Sequence, residues 1–160
     1  MKRRFSVALV VFHLILILGS ATILFADTLD DYLTGFTYQE RKDMKIDSKE
    51  LVALLKKGEA QLIDIRFPEE FAAWSMGFAV NIPLNELPNR LGELDKSKMI
   101  VTACPHKDRA ALARIYLTLK GYRVKYLKDG LLGLADLLRG DRAKDFINST
   151  SKITSKLPAK

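Results

Sequence analysis

The sequence predicts an α/β domain with a small, mostly parallel sheet and helices on both faces. Along residues 46–140, short apolar segments with the length of buried strands alternate with segments whose leucines recur at helical spacing. This alternation is typical of parallel sheets, because each crossover between parallel strands needs a long connection, usually a helix. A chain of 160 residues comfortably forms one such domain but not two.

The first elements of the predicted domain start at Ile46. Asp47 precedes Glu50 by three residues, which is the spacing of a helix-capping box, and Gly58 is expected to end that helix. Three elements follow: a strand over 61–65, a helix that opens at Pro68 and a brief strand over 79–82.

The second half of the domain continues the alternation. Its predicted elements are a helical stretch over 84–94, a buried strand over 99–103, a helix over 108–120, a strand over 123–127 and a final helix from Gly130. In the helix over 108–120, the apolar stripe is assigned to Ala111, Leu112, Ile115 and Leu119. Gly121 is expected to end this helix.

Residues 1–26 have the pattern of an export segment. Three basic residues precede an uncharged, largely apolar stretch over 5–25, and acidic residues follow from Asp27. We therefore expect the rest of the chain in the periplasm or cell envelope. Two forms stay open: a signal peptide cleaved after Ala21 or Ala26, or an uncleaved membrane anchor. Residues 27–45 are expected to be a linker or a short helical lead-in.

The formal net charge of +7 comes from the two ends of the chain. The basic head contributes three charges and the segment from Arg139 contributes four, so residues 27–138 are neutral overall. No basic face is implied for the domain, and nucleic acid is not an expected partner. Residues 141–160 form a basic polar tail that we expect to be solvated and disordered, with contact to an anionic membrane surface as the alternative.

The segment that carries the chemistry is a six-residue loop between a strand and a helix. Its members are Cys104, Pro105, His106, Lys107, Asp108 and Arg109. Cys104 is the chain's only cysteine, so it forms no intramolecular disulfide. The amides of a loop before a helix start, together with the loop cations, are expected to lower its pKa and make it nucleophilic. The alternative is a small, buried, inert thiol.

These segments together resemble the rhodanese domain over residues 46–140. Cys104 with an arginine five positions later matches the family's active-site loop. Residues 62–66 resemble its first signature, and residues 70–71 followed by 79–83 resemble its second. Residues 121–122 and 127–130 resemble its closing strand and glycine turn. Each segment is a weak signal alone, but their order and spacing are specific.

The resemblance implies a sulfurtransferase without a cofactor or metal. Cys104 would take the outer sulfur of a small anionic donor, such as thiosulfate, a polysulfide or a persulfide, and pass it to a thiol or another thiophilic acceptor. Residues 105–109 would form the substrate cradle, with Arg109 helping to hold the donor. Asp64 and Arg66 match family positions that mainly brace the site, and a structural ion pair explains them equally well.

Two features depart from the family pattern, and a third, the loop length, argues against a related phosphatase. Lys107 stands where the family often has glycine, so the loop backbone differs if that position needs a positive φ. Trp74 and Ser75 replace a usual Gly-His pair, and Trp74 is expected at the core or rim, with the site mouth as the alternative. A phosphatase related to the family needs one more loop residue before its arginine, whereas position 110 is alanine. The remaining alternative is a binding or redox-sensing module.

Overall fold

The computed structural model describes residues 28–154. The predicted export segment, residues 1–26, lies outside them. The elements follow the chain in this order: α1 Leu29–Thr34, α2 Tyr38–Asp43, β1 Lys45–Ile46, α3 Ser48–Lys57, β2 Ala60–Asp64, α4 Pro68–Ala73, β3 Val80–Asn81, 3₁₀ turns Leu87–Asn89 and Leu91–Glu93, β4 Met99–Ala103, α5 Asp108–Leu119, β5 Val124–Leu127, α6 Gly130–Leu137 and α7 Asp141–Thr154. Within residues 28–154 no helix is both long and apolar enough to cross a bilayer.

The strands of the described region form one parallel sheet in the order β1-β5-β4-β2-β3. Successive strand residues point to opposite faces, so Ile63 and Ile100 join one apolar cluster while Leu62 and Val101 join the other. Helix α5 covers the first face, and helices α3 and α6 cover the second. This arrangement confirms the predicted α/β architecture with helices on both faces.

Helix α3 begins and ends where the sequence predicts. The Asp47 carboxylate accepts a hydrogen bond from the Glu50 amide at 2.9 Å, and the Glu50 carboxylate accepts one from the Asp47 amide at 3.3 Å. Gly58 closes the helix in the left-handed region, at φ 72°. The correct helix start places Leu51 in the core.

The prediction of a helix over residues 84–94 is wrong. The chain there makes two short 3₁₀ turns, Leu87–Asn89 and Leu91–Glu93, instead of an α-helix. Pro88 explains the difference, because proline inside a helix removes an amide donor and clashes with the carbonyl four residues earlier. The leucines of this stretch still contribute to the core, since Leu87 and Leu94 are buried.

The apolar stripe assigned to α5 is also wrong. Leu112 is 60% exposed, whereas Ala110, Ala113, Arg114 and Leu117 are buried. The pattern of apolar residues did not predict that an arginine, Arg114, is buried on this helix. Its side chain donates to the Val124 carbonyl at 3.4 Å and forms an ion pair with Glu40 of α2.

Residues 27–45, predicted as a linker or helical lead-in, contain helices α1 and α2. Tyr32 of α1 donates to the Glu40 carboxylate at 2.8 Å, and Arg114 of α5 contacts both side chains. The two helices are thus attached to the domain through a buried charge. The helical lead-in is the correct alternative for this segment.

The prediction of disorder for the tail from residue 141 is wrong for residues 141–154, which form α7. Phe146 is only 1% exposed, and its ring packs on that of Phe78 with centroids 4.7 Å apart. Helix α7 also packs against α3. One buried aromatic residue therefore anchors a helix whose average composition is polar.

Candidate active site

Cys104 lies directly after β4, at the carboxyl end of a strand with neighbours on both sides. The end of β2 lies alongside, because Asp64 pairs with Ala103 and the Ile65 amide donates to the Ala103 carbonyl at 3.0 Å. Ligands in open parallel sheets bind beyond this edge. The structure therefore places the predicted nucleophile where this type of fold forms its sites.

The loop after Cys104 is held by the start of α6. The amides of Leu131 and Leu132 donate to the carbonyls of Cys104 and Pro105 at 2.9 and 3.3 Å. Gly130 has φ +65°, and a Cβ atom there would lie 2.2 Å from the His106 carbonyl oxygen. Only glycine permits this close approach. Because these two carbonyls point toward α6, the amides of the loop can point away from it.

Lys107 adopts φ −155° and ψ −19°, so this loop position does not need the positive φ that glycine would supply. Glycine is therefore not required at this loop position. The His106 and Lys107 side chains are exposed, and Pro105 is half-buried.

The Cys104 side chain is buried, with a residue exposure of 0%, and it packs in the apolar cluster beneath α5. Burial raises the pKa of its thiol, and the Asp108 carboxylate, which accepts a hydrogen bond from Sγ at 3.4 Å, raises it further. The amides of Ala110 and His106 act in the opposite direction but do not outweigh these effects. The predicted lowering of the pKa is therefore wrong, although the loop does direct amides at the sulfur.

Asp108 is the exposed first residue of α5. Hydrogen bonding from the Arg109 amide, and then from the Cys104 thiol, lowers the pKa of its carboxyl group. It is therefore ionised at neutral pH and sits against the sulfur. After burial, its hydrogen bond and negative charge are the second reason that the pKa of Cys104 is raised and not lowered.

Arg109 does not extend into the cradle as a free cation. Its two terminal nitrogens donate to the two carboxylate oxygens of Glu70 at 2.7 and 2.8 Å. This pairing lowers the pKa of Glu70 to about 2. The bidentate bridge ties the start of α5 to α4, so Arg109 braces the loop instead of offering its charge to a donor.

Asp64 and Arg66 form a buried ion pair next to this bridge. Arg66 Nε lies 2.9 Å from one Asp64 oxygen, and a terminal nitrogen lies 2.6 Å from the other. Arg66 also donates to the carbonyls of Glu70 and Trp74 at 3.2 and 2.8 Å. The Trp74 ring, 38% exposed, stacks on the guanidinium at 4.2 Å. Trp74 is therefore a rim residue that covers this ion pair.

Sequence reasoning did not assign a site role to Glu70 or Gly130. Glu70 lies 39 positions before its partner Arg109, so no local pattern connects them. Gly130 had a detectable signal, a glycine three residues after a strand, but only the fold shows its contact with the loop. Among residues 28–154, no group of three or more His, Cys, Asp or Glu side chains is arranged to hold a metal ion.

The fold and the loop together define a class of protein: a parallel α/β domain that presents one cysteine at the carboxyl end of an interior strand, inside a loop braced by a distant carboxylate. The family model for the rhodanese-like domain matches residues 47–136. The chain belongs to this family, as the resemblance of its sequence segments predicted.

Three relatives show the range of proteins that contain this domain. A sulfurtransferase of Allochromatium vinosum is 34% identical over 93 residues, which cover 57% of this chain and 87% of that protein. An HTH-type transcriptional regulator of Mycobacterium tuberculosis is 37% identical over 93 residues, covering 54% of this chain and 39% of the regulator. A rhodanese-related protein of Thermoplasma volcanium, solved as a crystal structure, has 25% identity and a TM-score of 0.53, covering 57% of this chain and 90% of that one.

Proposed function

We propose that this protein is a sulfurtransferase that moves sulfane sulfur from a thiosulfate, polysulfide or persulfide donor to a thiophilic acceptor through a persulfide on Cys104. The observation that carries the proposal is the local geometry of the loop. Its carbonyls bond to α6, while the amides of His106 and Ala110 approach the sulfur. Amides in this position stabilise negative charge on sulfur during transfer.

The proposed reaction has two nucleophilic steps. With thiosulfate, the Cys104 thiolate attacks the outer sulfur, a new S–S bond forms and the old one breaks. Sulfite leaves with the electron pair, and Cys104 becomes a persulfide anion. A thiophilic acceptor, for example cyanide, then attacks the outer sulfur of the persulfide and regenerates the thiolate. No net oxidation or reduction of the protein occurs over the cycle.

Intact-protein mass spectrometry after treatment with each donor tests this function directly. We expect the mass of one sulfur atom to be gained on Cys104 and lost on addition of cyanide. The matched control is Cys104→Ser, which keeps nearly the same shape and should gain nothing. A wild-type protein that acquires no sulfur from any of the three donor types would refute the proposal.

A binding or redox-sensing module is a second candidate, and a specific observation favours it. The Cys104 thiol is buried and its pKa is raised, which disfavours the reactive thiolate. In addition, one relative is a transcriptional regulator. An unreactive Cys104 suits a binding module, which would show no change in mass with any donor. A redox sensor would need a reactive thiolate and would show oxygen adducts only.

We also propose that the protein is exported and acts in the cell envelope. The charge pattern of residues 1–26 supports this proposal. Fractionation of cells that express the full chain tests this location. N-terminal sequencing of the exported form then separates a cleaved signal peptide from a retained anchor. Recovery of the unprocessed chain in the cytoplasm alone would contradict export.

A further inference from the structure

The charge nearest to the reactive sulfur is negative. Cys104 Sγ donates to the Asp108 carboxylate at 3.4 Å, and Asp108 is exposed while the cysteine is buried. The carboxylate therefore lies on the solvent side of the thiol. A donor that approaches from solvent meets this charge close to the sulfur that it must reach.

The two arginines near the sulfur, Arg109 in the loop and Arg66 beside it, offset the Asp108 charge only in part, because each is already paired with another carboxylate. Arg109 binds Glu70 through two hydrogen bonds, and Arg66 binds Asp64 in the buried ion pair. Lys107, the residue before Asp108, is exposed, so it lies nearer to solvent than either arginine. The arrangement differs from a cationic cradle built to attract a dianion.

We propose that Asp108 is a catalytic residue that directs the site toward donors with a thiolate leaving group, that is, persulfides, and against thiosulfate. The inference rests on the proposed sulfur transfer through Cys104. Asp108 would act in two ways. It relays the Cys104 proton to the leaving group, and its charge repels a dianionic donor.

The proton relay balances for a persulfide donor. As Cys104 Sγ attacks the outer sulfur of R–S–S⁻, its proton passes to the Asp108 carboxylate, and the R–S bond to the outer sulfur breaks. The electron pair leaves on RS⁻, which takes the proton back from Asp108. The products are the Cys104 persulfide anion and RSH, and Asp108 returns to its ionised form.

Thiosulfate gains little from this relay and suffers from the charge. Sulfite is a weaker base than a thiolate, so its departure depends less on a proton. The two negative charges of thiosulfate are repelled by a carboxylate that contacts the attacking sulfur. The same side chain therefore has opposite effects on the two donor types, which a purely structural role would not produce.

Asp108→Asn tests the proposal with three donors that separate charge from leaving group. Thiosulfate is a dianion whose leaving group, sulfite, is less basic than a thiolate. Methanethiosulfonate is a monoanion with a weakly basic leaving group, and cysteine persulfide has a thiolate leaving group. The second-order rate constant for sulfur loading of Cys104 is measured for each donor by mass spectrometry. Asp136→Asn is the matched control, because it makes the same change at an exposed pair with Arg139.

In Asp108→Asn we expect loading from cysteine persulfide to fall about 100-fold. Loading from thiosulfate should rise about fivefold, and loading from methanethiosulfonate should rise less. Asp136→Asn should change none of them. The ratio of persulfide to thiosulfate loading within one protein sample does not depend on its folded fraction, so partial misfolding does not obscure the result.

An unchanged ratio in Asp108→Asn would overturn the role of Asp108 while leaving sulfur transfer intact. Failure of the wild type to load from every donor would instead refute the proposed function itself. Asp108→Glu retains the carboxylate and should recover part of the preference for persulfide. A Glu variant with the same ratio as the Asn variant would count against the proton relay.

Discussion

Replacing Gly130 by alanine tests whether the start of α6 holds the Cys104 loop in place. The new Cβ would lie 2.2 Å from the His106 carbonyl oxygen and 2.3 Å from that of Pro105. The loop would have to retreat by about 1 Å to restore van der Waals contact. The backbone at φ +65° adds about 1 kcal/mol of strain for a residue with a side chain, and the overpacking adds about 1–3 kcal/mol.

Gly121→Ala supplies the matched control, because Gly121 has φ +77° but nothing within 4 Å of a built Cβ. Urea unfolding should show a loss of about 1 kcal/mol for Gly121→Ala and about 2–4 kcal/mol for Gly130→Ala. Sulfur loading of Cys104 should fall about 100-fold only in the second variant, because the amides around the sulfur move with the loop. Equal stability losses with normal loading in both variants would refute the clamping of the loop by α6.

Three further outcomes follow from the described contacts. Iodoacetamide should alkylate Cys104 slowly at pH 7, with a rate that still rises after the pH has passed the ordinary thiol pKa. The stability linked to the raised pKa of this thiol should be fully present below the ordinary pKa and lost as the pH rises through the raised one. Glu70→Gln should cost about 1 kcal/mol, since the side chain is 36% exposed, and this cost should vanish in urea titrations as the pH falls from 4.5 toward 2. Phe146→Ala should lower the unfolding free energy by about 3 kcal/mol, against less than about 0.5 kcal/mol for the exposed Leu112→Ala.

Most of the fold was predictable because its signals are local. The capping pair Asp47 and Glu50 identified the start of α3, and the apolar run over 99–103 identified β4. The errors arose where distant residues decide the structure. Arg114 is buried only because Glu40 and the Val124 carbonyl receive its donors, so a pattern of apolar residues assigned the wrong face of α5.

The candidate site was predictable in its position but not in its electrostatics. A cysteine between a strand and a helix start indicates where a reactive sulfur would lie, and the structure places Cys104 there. The sequence shows that Arg109 is a cation, but only the fold shows that Glu70 neutralises it. Cys104 and Asp108 are only four positions apart, but the chain between them is a loop, so their contact depends on how that loop folds.

The raised pKa of Cys104 is compatible with sulfur transfer because the thiolate and the persulfide place their charge differently. A disulfide-type S–S bond is about 2.05 Å long, so the outer sulfur of a Cys104 persulfide would carry its charge that distance beyond the buried Sγ. The apolar cluster beneath α5 closes one side of Sγ, so the outer sulfur would extend away from the burial that raises the pKa of the thiol. We therefore expect the loop to stabilise the persulfide anion better than the bare thiolate. Such a site keeps its cysteine protonated at rest and gains stabilisation only when sulfur has been loaded.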